Sequence, residues 1–295
     1  MREFLPAAAA AATGIQVGAA IVATRFVIGE TAPASLALLR YAIGFLCLVP
    51  PLALAGRTRI ARRDLLPIGL LGIVQFGVLI AALNYGLSLV PSARAALLFA
   101  TFPLMAIVVG MAFGEERPTT AKTAGVLLTI VGVGLAIGES GLGSGSVPDD
   151  WRGDAAVLSS ALAGAICSVL YRPYLRKYPT LPVSAFAMLA SVGFLALLAA
   201  GEGFFNAFPH FTSKGWFAVL FIGVSSGVGY YLWLWALGRT TPTRVTVFLG
   251  LSPITATALG ALLLGEPVSL TLAAGLGCVV LGLWIAHREP AAQLG

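Results

Sequence analysis

Charge is scarce in this chain. Only 10% of its 295 residues are Asp, Glu, Lys or Arg, while 58% are hydrophobic and the mean hydropathy is +0.94. Those proportions exclude an ordinary soluble domain. Histidine occurs twice, at His210 and His287, and neither belongs to a Ser/His/acid set or an HExxH motif. Cys47, Cys167 and Cys278 are too scattered for a disulfide framework or a metal site. Glycine is abundant, but no strand–loop–helix context turns it into a phosphate cradle. Neither enzymatic chemistry nor a cofactor is expected. The net charge of +6 comes without a basic patch interleaved with aromatics, so nucleic acid is not an expected partner. No Asp or Glu stands near the middle of any apolar run. Proton-driven multidrug exporters and cation carriers usually need such a carboxylate, which argues against both classes.

What the chain has instead is apolar length. Ten runs can cross a bilayer, at roughly 7–27, 33–55, 65–88, 93–113, 121–138, 154–171, 182–200, 215–237, 243–264 and 269–287. Backbone polar groups must be satisfied within lipid, so these runs read as helices, and a barrel would show short alternating segments instead. The first run continues to about Val27, which reads as an uncleaved span rather than a signal peptide. The expectation is an all-α polytopic membrane protein whose main partner is the lipid bilayer.

Positive residues set the orientation. With both termini cytoplasmic, thirteen Lys and Arg fall on the cytoplasmic side, among them Arg57, Arg59, Arg62, Arg63 and Lys177. Four fall outside, at Arg25, Arg94, Arg152 and Lys214, and Arg40 lies within a span. That bias sets the orientation, with both termini cytoplasmic, and the expected location is a bacterial inner membrane.

The second half of the chain repeats the first. Residues 75–136 align without a gap on 225–286, so that Gly77 meets Gly227, Arg94 meets Arg244, Pro103 meets Pro253 and Glu116 meets Glu266. Five spans per unit is an odd number, so the second unit enters the membrane in the opposite sense. The reading is ten transmembrane helices as two inverted five-helix repeats, 1–138 and 154–295, joined by a Gly/Ser-rich extracytoplasmic linker at 139–153. Pro103 and Pro253 interrupt spans four and nine at equivalent places, as fixed bends or as hinges. Spans five and ten carry recurrent glycines (Gly125 and Gly132; Gly275 and Gly282) and read as peripheral packing helices. The molecule is expected to be a monomer, or a homodimer through these two helices.

Residues 93–135, ARAALLFATFPLMAIVVGMAFGEERPTTAKTAGVLLTIVGVGL, and 245–286 share a small-residue helix, an internal proline, a glycine–acid pair and a glycine-rich helix. With LLRYAIGF at 38–45, these marks resemble the EamA-type repeats of the drug/metabolite transporter superfamily. The resemblance covers essentially the whole chain. It implies ten helices, inverted repeats and export of small metabolites, and is strongest toward bacterial exporters of aromatic and other amino acids. Pro267 departs from the first repeat, where Arg117 follows the glutamate.

Polar residues inside a span are functional candidates by default. Gln16 and Gln75 are deep amides, and Asn84 lies near the outer end of span three beside Tyr85. Ser226, Tyr230 and Trp233 follow i, i+4, i+7 spacing and share one helical face. An aromatic face opposite amides suits a flat, partly apolar solute with a polar end. The amides can equally bridge helices, and Trp235 can anchor at the interface. Arg40 can snorkel, pair with a helix-end carbonyl, or meet a substrate carboxylate. Glu116 and Glu266 stand at helix ends, where they can cap the following helix or hold a cation. The substrate-binding expectation is Gln16, Gln75, Asn84, Tyr85, Ser226, Tyr230, Trp233 and Arg40, with Pro103 and Pro253 as hinges. The site would lie between helices one, three, four, six, eight and nine. The function expected is export of small neutral or zwitterionic metabolites, amino acids included, by a facilitator. Exporters of quaternary cations, nucleotide-sugar or phosphate-ester carriers, and a non-transporting receptor or assembly factor are the rivals.

Overall fold

Each apolar run folds as a helix, because a backbone in lipid must satisfy itself. The computed structural model describes residues 4–54, 60–114, 119–142, 151–237, 239 and 247–286. Helix α1 spans Phe4–Val27, α2 Pro33–Leu54, α3 Arg62–Leu89, α4 Ser92–Ala112 and α5 Thr120–Leu142. In the second half α6 spans Trp151–Leu170, α7 Thr180–Gly201, α8 Ser213–Leu237, α9 Leu251–Leu264 and α10 Leu270–Ala286. No strand occurs among the described residues. Seven helices are long and apolar enough to cross a membrane; α5, α9 and α10 offer shorter apolar stretches. Large side chains such as Leu70, Leu197, Phe217 and Leu262 are exposed on the flanks, where lipid replaces water.

The pairing of helices carries the signature of the repeat. Helix α1 packs on α8 and α9, and its counterpart α6 packs on α3 and α4. Likewise α2 packs on α8 while α7 packs on α3, and the pairs α2–α7 and α5–α10 join counterparts directly. Exchanging each helix for its counterpart in the other half maps this pattern onto itself.

Small residues set the closest approaches. Gly14 and Gly18 of α1 face Phe248 O and Ser252 O, which lie 2.0 and 2.4 Å from where a Cβ would stand. Any side chain there would push α1 off α9. Gly132 and Gly275 meet each other in the same way, backbone to backbone, where α5 crosses α10. Gly132, Gly275 and Gly282, on the faces expected to offer a dimer contact, are thus packed within one chain, while Gly134 and Gly277 face open space. Leu127, Ile130 and Leu281 occupy the faces of α5 and α10 that stay exposed.

Pro103 lies just after a helix break, and Pro253 lies in the first turn of its α-helix. In α4 the first segment ends at Phe99 and the second begins at Phe102, so Pro103 sits in a first turn, where its missing N–H costs nothing. At the break Leu98 O accepts both the backbone N–H of Thr101, at 3.1 Å, and the Thr101 hydroxyl. In α9 a 3-10 turn at Val247–Gly250 precedes the helix that holds Pro253. Two π turns were not expected: Ile73–Val78 within α3 and Gly260–Leu264 at the end of α9. The second closes on Gly265, whose φ of 66° needs glycine.

The polar ends tie the halves together. At one end, Arg94 of α4 and Asp154 of α6 form a buried ion pair, with Nε donating to Oδ1 at 2.9 Å. There too, Glu202 accepts the N–H groups of Ala34 and Ser35 at the start of α2, and Glu30 accepts Thr212 N at 2.8 Å. Glu266 accepts Ser92 N at 3.0 Å and lies 3.9 Å from Arg25 Nε. It therefore caps α4, from the other half, and not the following helix α10. Anionic groups at helix N-termini are favoured by the helix dipole and its free N–H groups. At the opposite end Asp64 accepts from Lys177 and from Tyr178 Oη.

Two expectations shift at the margins. Helix α5 runs four residues into the expected linker, to Leu142, because no proline occurs before Pro148 and a propagating helix gains a bond per residue. Helix α6 starts at Trp151, ahead of the expected 154. Residues 143–150, Glu116 and Arg244 lie outside the described residues.

Candidate functional site

Between the two halves lies a cavity of about 100 Å³. Helix α1 lines it with Thr13, Gln16, Val17, Ile21 and Thr24, which recur at helical spacing along one face. Arg40 and Tyr41 come from α2, and Gln75, Phe76, Leu79, Ile80 and Leu83 from α3. Phe99 and Phe102 flank the break in α4, and Ser226, Gly229, Tyr230 and Trp233 come from α8. Six of the eight candidate residues from the sequence therefore meet in one space: Gln16, Arg40, Gln75, Ser226, Tyr230 and Trp233.

Asn84 and Tyr85 do not line it. Asn84 is fully buried and its amide donates to Pro33 O at 3.0 Å, tying the end of α3 to the start of α2. Tyr85 is 43% exposed on the outer surface. Leu83 faces the cavity, and each further residue turns the helix by about 100°. Asn84 is thereby turned aside, and Tyr85 points nearly opposite. The expected wall also changes. Among the described residues neither α6 nor α9 contributes a lining residue, while α2, left out of the expected set of helices although Arg40 was a candidate, brings Arg40 and Tyr41. On the α6 side the space is already filled, for a Cβ on Gly164 would stand 2.1 Å from the Phe102 ring.

Aromatic rings form the walls. Tyr41, Phe76 and Tyr230 are in contact in series, with centroids 4.8 and 4.1 Å apart. Phe99, Phe102 and Trp233 form a second series at 5.7 and 6.0 Å. Edge-on and tilted pairs of this kind hold rings in place beyond simple burial. Gln75 is presented from the π turn of α3, one of the places where such turns recur at functional sites. Gln16 donates through Nε2 to Ser225 Oγ at 3.2 Å. Its Oε1 occupies the space that a Cβ on Gly229 would need, 2.4 Å away.

Arg40 dominates the electrostatics. It is 7% exposed, and its Nε donates to Ser226 Oγ at 2.7 Å. Its guanidinium lies 5.6 Å from the Tyr41 ring centroid. No carboxylate among the described residues pairs with it. The Thr24 hydroxyl is a second buried cavity group without a protein partner. Tyr41, Phe76, Phe99, Phe102 and the two threonines were not singled out from the sequence. Tyr41 and Phe76 directly follow Arg40 and Gln75, but in so apolar a chain nothing distinguishes a cavity ring from a core ring.

The chain matches the model of the EamA-like transporter family over residues 5–138 and again over 151–287. An uncharacterized transporter of Archaeoglobus fulgidus is 28% identical over 92% of this chain and 95% of its own. A probable terminal-alkyne amino-acid exporter of Streptantibioticus cattleyicolor is 29% identical over 87% of this chain and 84% of its own. The aromatic amino acid exporter YddG of Ancylobacter novellus is 26% identical over 59% of each. A protein of known crystal structure superposes with a TM-score of 0.69 at 23% identity over 93% of this chain and 97% of its own, which speaks to the fold.

Proposed function

Because the chain belongs to the EamA-like transporter family, we propose that it exports small metabolites with a polar end and a flat apolar body, amino acids and aromatic ones among them. The observation that carries the reading is the cavity itself, which joins aromatic walls, two amides and one buried guanidinium at the junction of the halves. Gln16, Gln75, Arg40, Ser226, Tyr230 and Trp233 would contact the substrate. Amino-acid export by two relatives supports the substrate class. At about 100 Å³ the cavity is smaller than the ~150 Å³ of an apolar cavity that holds benzene, so loading would need the halves to part. The break before Pro103 borders this space, and that break and the start of the helix that holds Pro253 are the places where α4 and α9 would bend. That geometry supports export by alternating access. One copy encloses the cavity, so the mechanism needs no second one. The arginine bias supports cytoplasmic termini in a bacterial inner membrane, with the Asp154 end outside.

No acidic side chain lines the cavity among the described residues, which favours a facilitator over a proton antiporter. The Arg40 charge would repel a quaternary cation, so that rival loses ground. A single guanidinium is thin provision for a nucleotide sugar or phosphate ester. The test is counterflow of a panel of labelled amino acids in proteoliposomes, with and without a pH gradient. Exchange without a gradient is expected. No exchange of any amino acid under either condition would end the reading.

A further inference from the structure

We infer that the cavity is built for a single negative charge and that its preferred substrates are monocarboxylates without an ammonium group. The inference deepens the reading of this cavity as the substrate site and rests on it. Arg40 is held by Ser226 through Nε, which leaves the Nη1/Nη2 fork without a protein hydrogen bond among the described residues. That fork matches a carboxylate in the end-on bidentate geometry, and the Ser226 contact fixes its direction.

Among the described residues the protein supplies no counter-charge. The acids whose side chains are described are all engaged at helix ends: Glu30 by Thr212, Asp64 by Lys177, Asp154 by Arg94, Glu202 by Ser35 and Glu266 by Ser92. A monoanion therefore neutralises the cavity, whereas a zwitterion brings an ammonium that leaves it positive. The ammonium finds only neutral acceptors and ring faces there: Gln16, Gln75, the hydroxyls and the aromatics. Those tolerate it without cancelling it, and like charges in a partly buried site repel by kilocalories. The order of preference is thus monoanion, then zwitterion, then cation.

The test titrates purified protein in detergent, by calorimetry at mildly acidic pH, with 3-phenylpropionate, phenylalanine and phenylalaninamide. The three share a ring and differ in net charge. Wild-type protein is expected to bind phenylpropionate roughly tenfold or more tighter than phenylalanine, and phenylalaninamide weakest. Arg40→Gln is expected to abolish that order, and the wild-type series decides the point even if the variant does not fold. Phenylalanine binding tighter than phenylpropionate would overturn the inference and leave amino-acid export standing. A phenylpropionate preference that persists in folded Arg40→Gln would overturn it as well. Failure of all three ligands to bind would remove both the inference and the reading beneath it.

Discussion

Arg40 and Arg94 are buried to the same degree, each 7% exposed, and the protein treats their charges in opposite ways. Arg94 meets Asp154 across the junction of the halves and is closed off by its own chain. Arg40 meets one serine hydroxyl and an aromatic ring, and its remaining N–H groups are left for something else. An uncompensated buried cation is costly, and a fold under selection for stability alone would pair it or remove it. The difference separates a charge that holds the structure from one that, on the proposed function, is kept for a ligand.

Breaking the Arg94 pair should give the largest effect on stability. Asp154→Asn removes the carboxylate that this buried guanidinium meets, and breaking a buried pair typically costs about 3–5 kcal/mol. A marked loss of folded protein, or a fall in melting temperature in detergent, is expected. Arg40→Gln should do the reverse on one axis and harm on another. Its melting temperature should equal or exceed wild type, while affinity for a carboxylate ligand falls by about 1.5–3 kcal/mol, the worth of a hydrogen bond to a charged group. If both variants lose stability equally, the contrast is wrong.

Ser226→Asp sharpens the comparison by giving Arg40 the partner that Arg94 already has. It should fold, raise the melting temperature and lose carboxylate binding, because the internal acid competes for the fork. Gly229→Ala should act more mildly. Its Cβ would collide with Gln16 Oε1, and overpacking of this kind costs about 1–3 kcal/mol. Weaker ligand binding with Arg40 intact is expected, measured by the same titration. Tyr85→Phe should change neither stability nor binding, since its side chain faces away from the cavity.

The fold was legible because lipid leaves few options. Apolar length fixed the spans, and the odd count of spans per repeat fixed the inversion. The α8 face of Ser226, Tyr230 and Trp233 was legible for the same reason, since a regular helix turns spacing into direction. Where depth was read without direction, the reading failed: Asn84 and Tyr85 lie at a suitable level but on the wrong sides of α3. The π turn that presents Gln75 has no clear mark in the sequence, because it changes the helical register without changing residue type. The partner of Glu266 was hidden too. Its place in the sequence suggested a cap on α10 or a hold on a cation, while the fold brings it Ser92 of α4 from the other half as well as Arg25.

The most direct test of the central claim is counterflow of labelled phenylalanine into proteoliposomes preloaded with either unlabelled phenylalanine or phenylalaninamide, in wild type and Arg40→Gln. If Arg40 receives the substrate carboxylate, internal phenylalanine accelerates uptake in wild type, the amide does not, and neither does so in the variant. Equal acceleration by both preloaded compounds, or undiminished exchange in folded Arg40→Gln, would contradict the account.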